Sequence, residues 1–140
     1  MNDIEVIINE LDESGIDIDD FQFEDIRAVS ICQEDGARSI GLDKRQFETS
    51  AELKSVLLHE QGHCETHTFY NASTSPLMRG KLERRADRYV TENKITKYDI
   101  VKANKREGLT EIWEFAEHFG VTVEYMKRIM NIHFQMEFME

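Results

Sequence analysis

The sequence predicts an α+β fold, predominantly helical, with one small antiparallel sheet. Three observations carry that prediction. Apolar residues recur at helical spacing, beginning with Ile4, Ile7, Ile8 and Leu11. Two short β-prone runs, residues 27–32 and 37–42, flank Glu34-Asp35-Gly36, whose Asp-Gly pair is a hairpin turn signal. Capping residues and glycines then mark out successive helices from Thr49 onward. The 140 residues read as a single domain (1–140), long enough to bury a core. Within it lie an N-terminal helix and acidic link (1–26), a hairpin with two central helices (27–93) and a C-terminal helical region (94–140).

Composition excludes several classes. An apolar content of 40% with 32% charged residues suits a water-soluble chain, and no run approaches the roughly 18 apolar residues of a membrane span. Met1-Asn2-Asp3-Ile4-Glu5 is acidic and lacks the start of a secretory signal. Cys32 and Cys64 are too few for a disulfide framework, so a reducing cytoplasm is the expected compartment. The net charge of −11 disfavours non-specific binding to nucleic acid and suits a basic protein partner.

In order along the chain, residues 3–13 read as an amphipathic helix and residues 12–20 as a solvated acidic connector. The hairpin follows, with Cys32 as a small apolar strand residue. Thr49 and Glu52 make a capping box that starts a helix with the apolar stripe Leu53, Val56, Leu57 and Cys64. Residues 68–80, small and polar and holding the sole proline, Pro76, read as a loop before a second helix over 81–90. Thr96 caps a third helix that Gly108 closes, and Thr110 caps a fourth over 111–118. Gly120-Val121-Thr122 turns the chain into a last helix from Val123. The spacing of this final pair is that of a helix-turn-helix, but Glu124, Tyr125, Lys127 and Arg128 are hardly a basic recognition face. Scaffolding or substrate docking is expected there rather than DNA binding. Met126, Met130, Phe134, Met136, Phe138 and Met139 read as core and tail, or as an adaptable partner surface.

The chemistry lies in His59-Glu60-Gln61-Gly62-His63. Residues four apart share a helix face, so His59 and His63 can hold one metal ion. Glu60 falls within the apolar stripe, where a carboxylate is costly unless compensated. A surface helix with hydrogen-bonded histidines would carry the same letters. In the second helix Glu83 and Asp87 put two negative charges on one face, a destabilising pair that neighbouring arginines or a metal could relieve. The metal alternative assigns each residue a role. His59, His63 and Glu83 are three ligands to zinc, with a fourth position for water. Asp87 accepts the N–H of a ligand imidazole. Ala86 lets the helices approach. Glu60 is the general base and later passes its proton to the leaving amine.

His59-Glu60-x-x-His63 followed by Glu83-x-x-Ala86-Asp87-x-Tyr89-Val90 resembles the ImmA/IrrE family of small zinc metallopeptidases, over residues 27–130. The resemblance implies a zincin-like core and a cytoplasmic peptidase, often encoded by phages or mobile elements, that cleaves or inactivates a helix-turn-helix repressor. Family members often carry Leu-Met-Pro after the second motif, where this chain has residues 91–96, and Val90 replaces the usual alanine. A metzincin would need glycine at 66 and histidine at 69, which are Thr66 and Phe69. His67 extends the histidine column but would not readily complete a tetrahedron, so it is expected at the rim, and Cys64 in the core. His118, Tyr70 and Tyr89 are candidates to stabilise an oxyanion. Strand residues 39–42 are expected to pair with an extended substrate by edge addition, as in related zinc peptidases. The rival function is a zinc-stabilised binding module that sequesters a repressor without cleaving it.

Overall fold

Helix α1 (Asp3–Glu13) buries Ile7 and Leu11, four residues apart on one face. The computed structural model describes residues 3–135; Met136, Phe138 and Met139, read as core or tail, lie outside the described residues. After Gly15, whose φ of +74° suits glycine, comes strand β1 (Ile16–Asp20). The expected acidic connector is therefore corrected. Ile16 is buried and Ile18 half-buried, while Asp17 and Asp19, which alternate with them, face solvent. That is strand alternation written with a residue that strands normally avoid.

Strands β2 (Ala28–Cys32) and β3 (Arg38–Leu42) form the expected antiparallel hairpin, with Ser30 opposite Ile40. Gly36 takes a φ of +89° in its turn. Cys32 is exposed at the end of β2 rather than packed. The sheet order is β1-β3-β2, with β1 parallel to β3. This overturns the expectation that residues 39–42 form the substrate edge, because β3 is central and paired on both sides. Of the hairpin's two strands, the one with a free edge is β2.

The segment between β1 and β2 is pinned by Asp43, which is 1% exposed. Its carboxylate accepts from Arg45, Gln46 and the Phe23 N–H, and Gln46 also donates to the Ile26 carbonyl at 2.8 Å. These bonds, the Arg45 one foremost, hold the Asp43 carboxyl well below the usual carboxylate range.

Helix α2 (Ser50–Thr66) starts where its cap predicts, with the Thr49 hydroxyl accepting from the Glu52 N–H at 3.1 Å. The reciprocal half of the box is displaced by one residue, since Glu52 accepts from the Glu48 N–H. Helix α3 (Pro76–Asn93) begins five residues before the predicted helix, which shortens the expected loop. Ser75 caps it and Pro76 takes the first helical position, where a missing N–H costs nothing. Helix α4 (Lys97–Glu107) runs from the Thr96 capping box to Gly108 as expected. Helix α5 (Ile112–Phe119) starts one residue later than predicted, because Glu114 accepts from the backbone N–H groups of Thr110 and Glu111. Gly120 then leads into α6 (Val123–Phe134), capped by Thr122.

The core joins Ile7 and Leu11 to Ile40, Leu57, Leu58, Val90, Phe115, Met126 and Ile129. Met126 and Met130 are thus core residues. At the centre of the molecule α2 lies on α3 so closely that a Cβ built on Gly62 would sit 2.4 Å from the Ala86 carbonyl oxygen. The α2–α3 approach is expected from Ala86; Gly62 supplies the other half. No helix among the described residues is long and apolar enough to cross a membrane.

Candidate metal centre

The paired helices α2 and α3 bring His59, His63 and Glu83 together, with one ligand atom of each lying within 4.8 Å of the others. The contacts themselves are shorter. His59 Nε2 lies 3.2 Å from His63 Nε2 and 2.9 Å from Glu83 Oε2, and His63 Nε2 lies 3.0 Å from Glu83 Oε1. A tetrahedral ion with bonds of about 2.05 Å holds its ligand atoms about 3.3 Å apart. The contacts, made to the two different oxygens of Glu83, are a little shorter than that spacing.

The tautomers point the same way. His63 Nδ1 is 2.9 Å from the Thr68 carbonyl oxygen, which can only accept, so Nδ1 carries a proton and the neutral ring turns its Nε2 lone pair toward the cluster. The Thr68 hydroxyl, also 2.9 Å away, is in turn linked to Thr66. His59 Nδ1 faces Asp87 Oδ1 at 3.5 Å, close enough for attraction but beyond good hydrogen-bond geometry, and neither atom has another hydrogen-bond partner. The carboxylate side again dictates the proton on Nδ1. With both rings neutral, two imidazole lone pairs and a carboxylate converge where a metal ion could be held; with a ring protonated, its Nε2–H donates to Glu83 instead.

The electrostatics describe the protonated arrangement. Burial opposes the charged form of His59, but the facing carboxylates of Asp87 and Glu83 and the charge of Glu60 outweigh it, and its pKa is pushed up to about 9. Burial likewise opposes ionisation of Glu83, yet hydrogen bonds from His59, His63 and Tyr70 drive its pKa far below the carboxylate range. The donor set of two imidazoles and one carboxylate, together with the orphaned pair at His59 and Asp87, fits a divalent metal such as zinc.

Glu60 lies beside the cluster, lining the same cleft. Its position in the apolar stripe is compensated by β2, since the Ser30 hydroxyl donates to Glu60 Oε2 at 2.6 Å. Ile26, Ala28, Val29, Ser30, Phe69 and Tyr70 also line the cleft. Of the three oxyanion candidates, Tyr70 is the one that lines it; its hydroxyl donates to Glu83 Oε1 at 2.7 Å, and that carboxylate pushes its pKa up to about 12. His118 pairs instead with Glu107 at 2.9 Å. His67 is an exposed left-handed C-cap of α2 outside the cluster, and Cys64 is buried with its thiol pushed up to about 11 by burial.

All five residues singled out from the sequence, His59, Glu60, His63, Glu83 and Asp87, thus meet at one place. Sequence reasoning missed three supports. Ser30 sits in an ordinary alternating strand and Thr68 in a polar stretch, so neither carries a signal of its own. Arg128 was weighed for DNA contact, whereas its guanidinium turns inward, 2.8 Å from Asp87 Oδ2 and 3.2 Å from Glu83 Oε2. Comparison of the chain with protein-family models, curated proteins and solved structures finds no match.

Proposed function

We propose that this chain is a zinc-dependent endopeptidase of the ImmA/IrrE type, acting in the cytoplasm on a helix-turn-helix repressor of a phage or mobile element. The observation that carries the reading is the convergence of His59, His63 and Glu83 with the Glu60 carboxylate in a single cleft. Either feature alone is common; a ligand triad with a free-standing base beside it is the equipment of a hydrolase. His59, His63 and Glu83 would hold the ion, which when bound supplies a Lewis acid that polarises the scissile carbonyl and acidifies the attacking water.

The remaining work falls to the chain itself. Thr68 and Asp87 orient the two imidazoles. Glu60 takes the proton of the attacking water and delivers it to the leaving amine, while the Ser30 hydroxyl holds the carboxylate in place. Tyr70, held protonated, is the donor that can turn toward negative charge developing on the carbonyl oxygen. The free edge of β2 supplies backbone donors and acceptors for an extended peptide, the role first expected of residues 39–42. N-methylation of the backbone amides of a cleaved peptide on either side of the scissile bond should abolish its cleavage; cleavage at an undiminished rate would remove β2 from substrate binding. A basic repressor would also be steered toward a chain of net charge −11.

The deciding experiment is the zinc content of the purified protein beside Glu83→Ala. Near-stoichiometric zinc in the wild type, lost or weakened at least about 10-fold in the variant, is expected. A wild type that takes up no zinc when it is supplied defeats the reading.

A further inference from the structure

We propose that Arg128 is a positioning residue of the metal centre, acting through Asp87 and Glu83 to set the affinity of the site for its ion. The inference rests on the zinc reading above and extends it to the C-terminal helix. The two carboxylates lie four residues apart on the inner face of α3, Asp87 buried and Glu83 about three-quarters so. Left alone they would repel, and each could swing away from the imidazole it faces.

Arg128 reaches across from α6 and joins them. Its Nε and Nη2 both lie 2.8 Å from Asp87 Oδ2, and Nη2 also lies 3.2 Å from Glu83 Oε2. Occupying Oδ2 fixes the Asp87 rotamer that turns Oδ1 toward His59 Nδ1, whose proton has no other acceptor. On the Glu83 side the same guanidinium holds Oε2, while Tyr70 donates to Oε1. A planar fork is needed for this, because one donor group must address two carboxylates whose separation is set by a turn of helix. A lysine ammonium brings the charge without the fork.

The alternative role is a simple tether of α6 to α3, and stability alone would report it. Zinc affinity separates the two. Wild type, Arg128→Gln and Arg128→Lys are titrated with zinc against a competing chelating indicator, each with its metal-free unfolding midpoint measured alongside. Loss of about 10–100-fold in zinc affinity is expected for Arg128→Gln. Arg128→Lys, which keeps the charge that shields the carboxylates and so keeps the fold, should lose about 5-fold.

In an Asp87→Asn background the Arg128→Gln effect should shrink, leaving only the part that acts through Glu83. An Arg128→Lys protein that binds zinc as the wild type does overturns the proposal, whether or not Arg128→Gln folds. So does an Arg128→Gln penalty undiminished by Asp87→Asn. Both results leave the zinc reading standing. A wild type that binds no zinc overturns that reading and this inference with it.

Discussion

Replacing Glu60 with glutamine is expected to lower the rate of peptide cleavage by about 10³-fold while leaving zinc content and fold unchanged. The two side chains have the same shape, and the glutamine oxygen can still accept from the Ser30 hydroxyl that holds Glu60 at 2.6 Å. What is lost is the capacity to take a proton. The Ser30 contact also partners a polar group in a residue that is only 9% exposed, so the substitution keeps that partner and leaves no cavity. Digestion of a peptide library, read by mass spectrometry, measures the effect. A Glu60→Gln protein that cleaves as the wild type does would remove Glu60 from the chemistry. If it silences a repressor as well as the wild type while neither protein cuts any peptide, the chain works by zinc-stabilised sequestration instead.

The second large effect is expected at Gly62, and its sign runs against helix propensity. Alanine in place of glycine inside an exposed helix gains about 1 kcal/mol. At Gly62 the added Cβ would meet the Ala86 carbonyl oxygen at 2.4 Å and the carbonyl carbon at 3.0 Å. Both are backbone atoms, so relief requires α2 and α3 to move apart. Overpacking of that kind costs about 1–3 kcal/mol, more where rigid elements must separate, and it outweighs the propensity gain. Separation would also spread His63 from Glu83, so Gly62→Ala should lower both the unfolding midpoint and zinc affinity. Gly80, in the same helical pair, is the control. Its nearest neighbour is the flexible end of Arg84 at 3.4 Å, and Gly80→Ala should raise the midpoint. A Gly62→Ala protein as stable as Gly80→Ala would show that the helices do not depend on this contact.

These two residues illustrate how much was legible beforehand. Glu60 announces itself, because a carboxylate beside two histidines at helical spacing has few other uses. Gly62 stands at an unspecified position between those histidines, and only the facing backbone gives it meaning. The hairpin, the capped starts of α2 and α4 and the turn before α6 depend on local backbone chemistry and could be read from a few neighbouring letters. Strand β1 could not. Ile16-Asp17-Ile18-Asp19-Asp20 has the right alternation, but aspartate is unfavourable in strands, and its presence here reflects an edge whose charges discourage further pairing. That pairing is made with β3, 22 residues away (Ile16 to Arg38), and no local pattern announces it. The start of α3 was obscured by Pro76, a breaker in a helix interior but well placed in the first turn. Arg128 was left without a role for the same reason that β1 was missed, since its partners are distant in the chain.

That distance has a consequence in chain entropy. His63 and Glu83 are 20 residues apart, so one helical hairpin closes the ligand set; Glu83 and Arg128 are 45 apart. Closing the longer loop costs about 0.7 kcal/mol more than the shorter, because the penalty grows only with the logarithm of length. A charge-assisted hydrogen bond from a half-exposed guanidinium returns about 1 kcal/mol. Recruiting a side chain from the far end of the sequence is therefore close to free. The boundary between the α2–α3 hairpin and the C-terminal helices, plain along the sequence, disappears in the energetics of the folded chain.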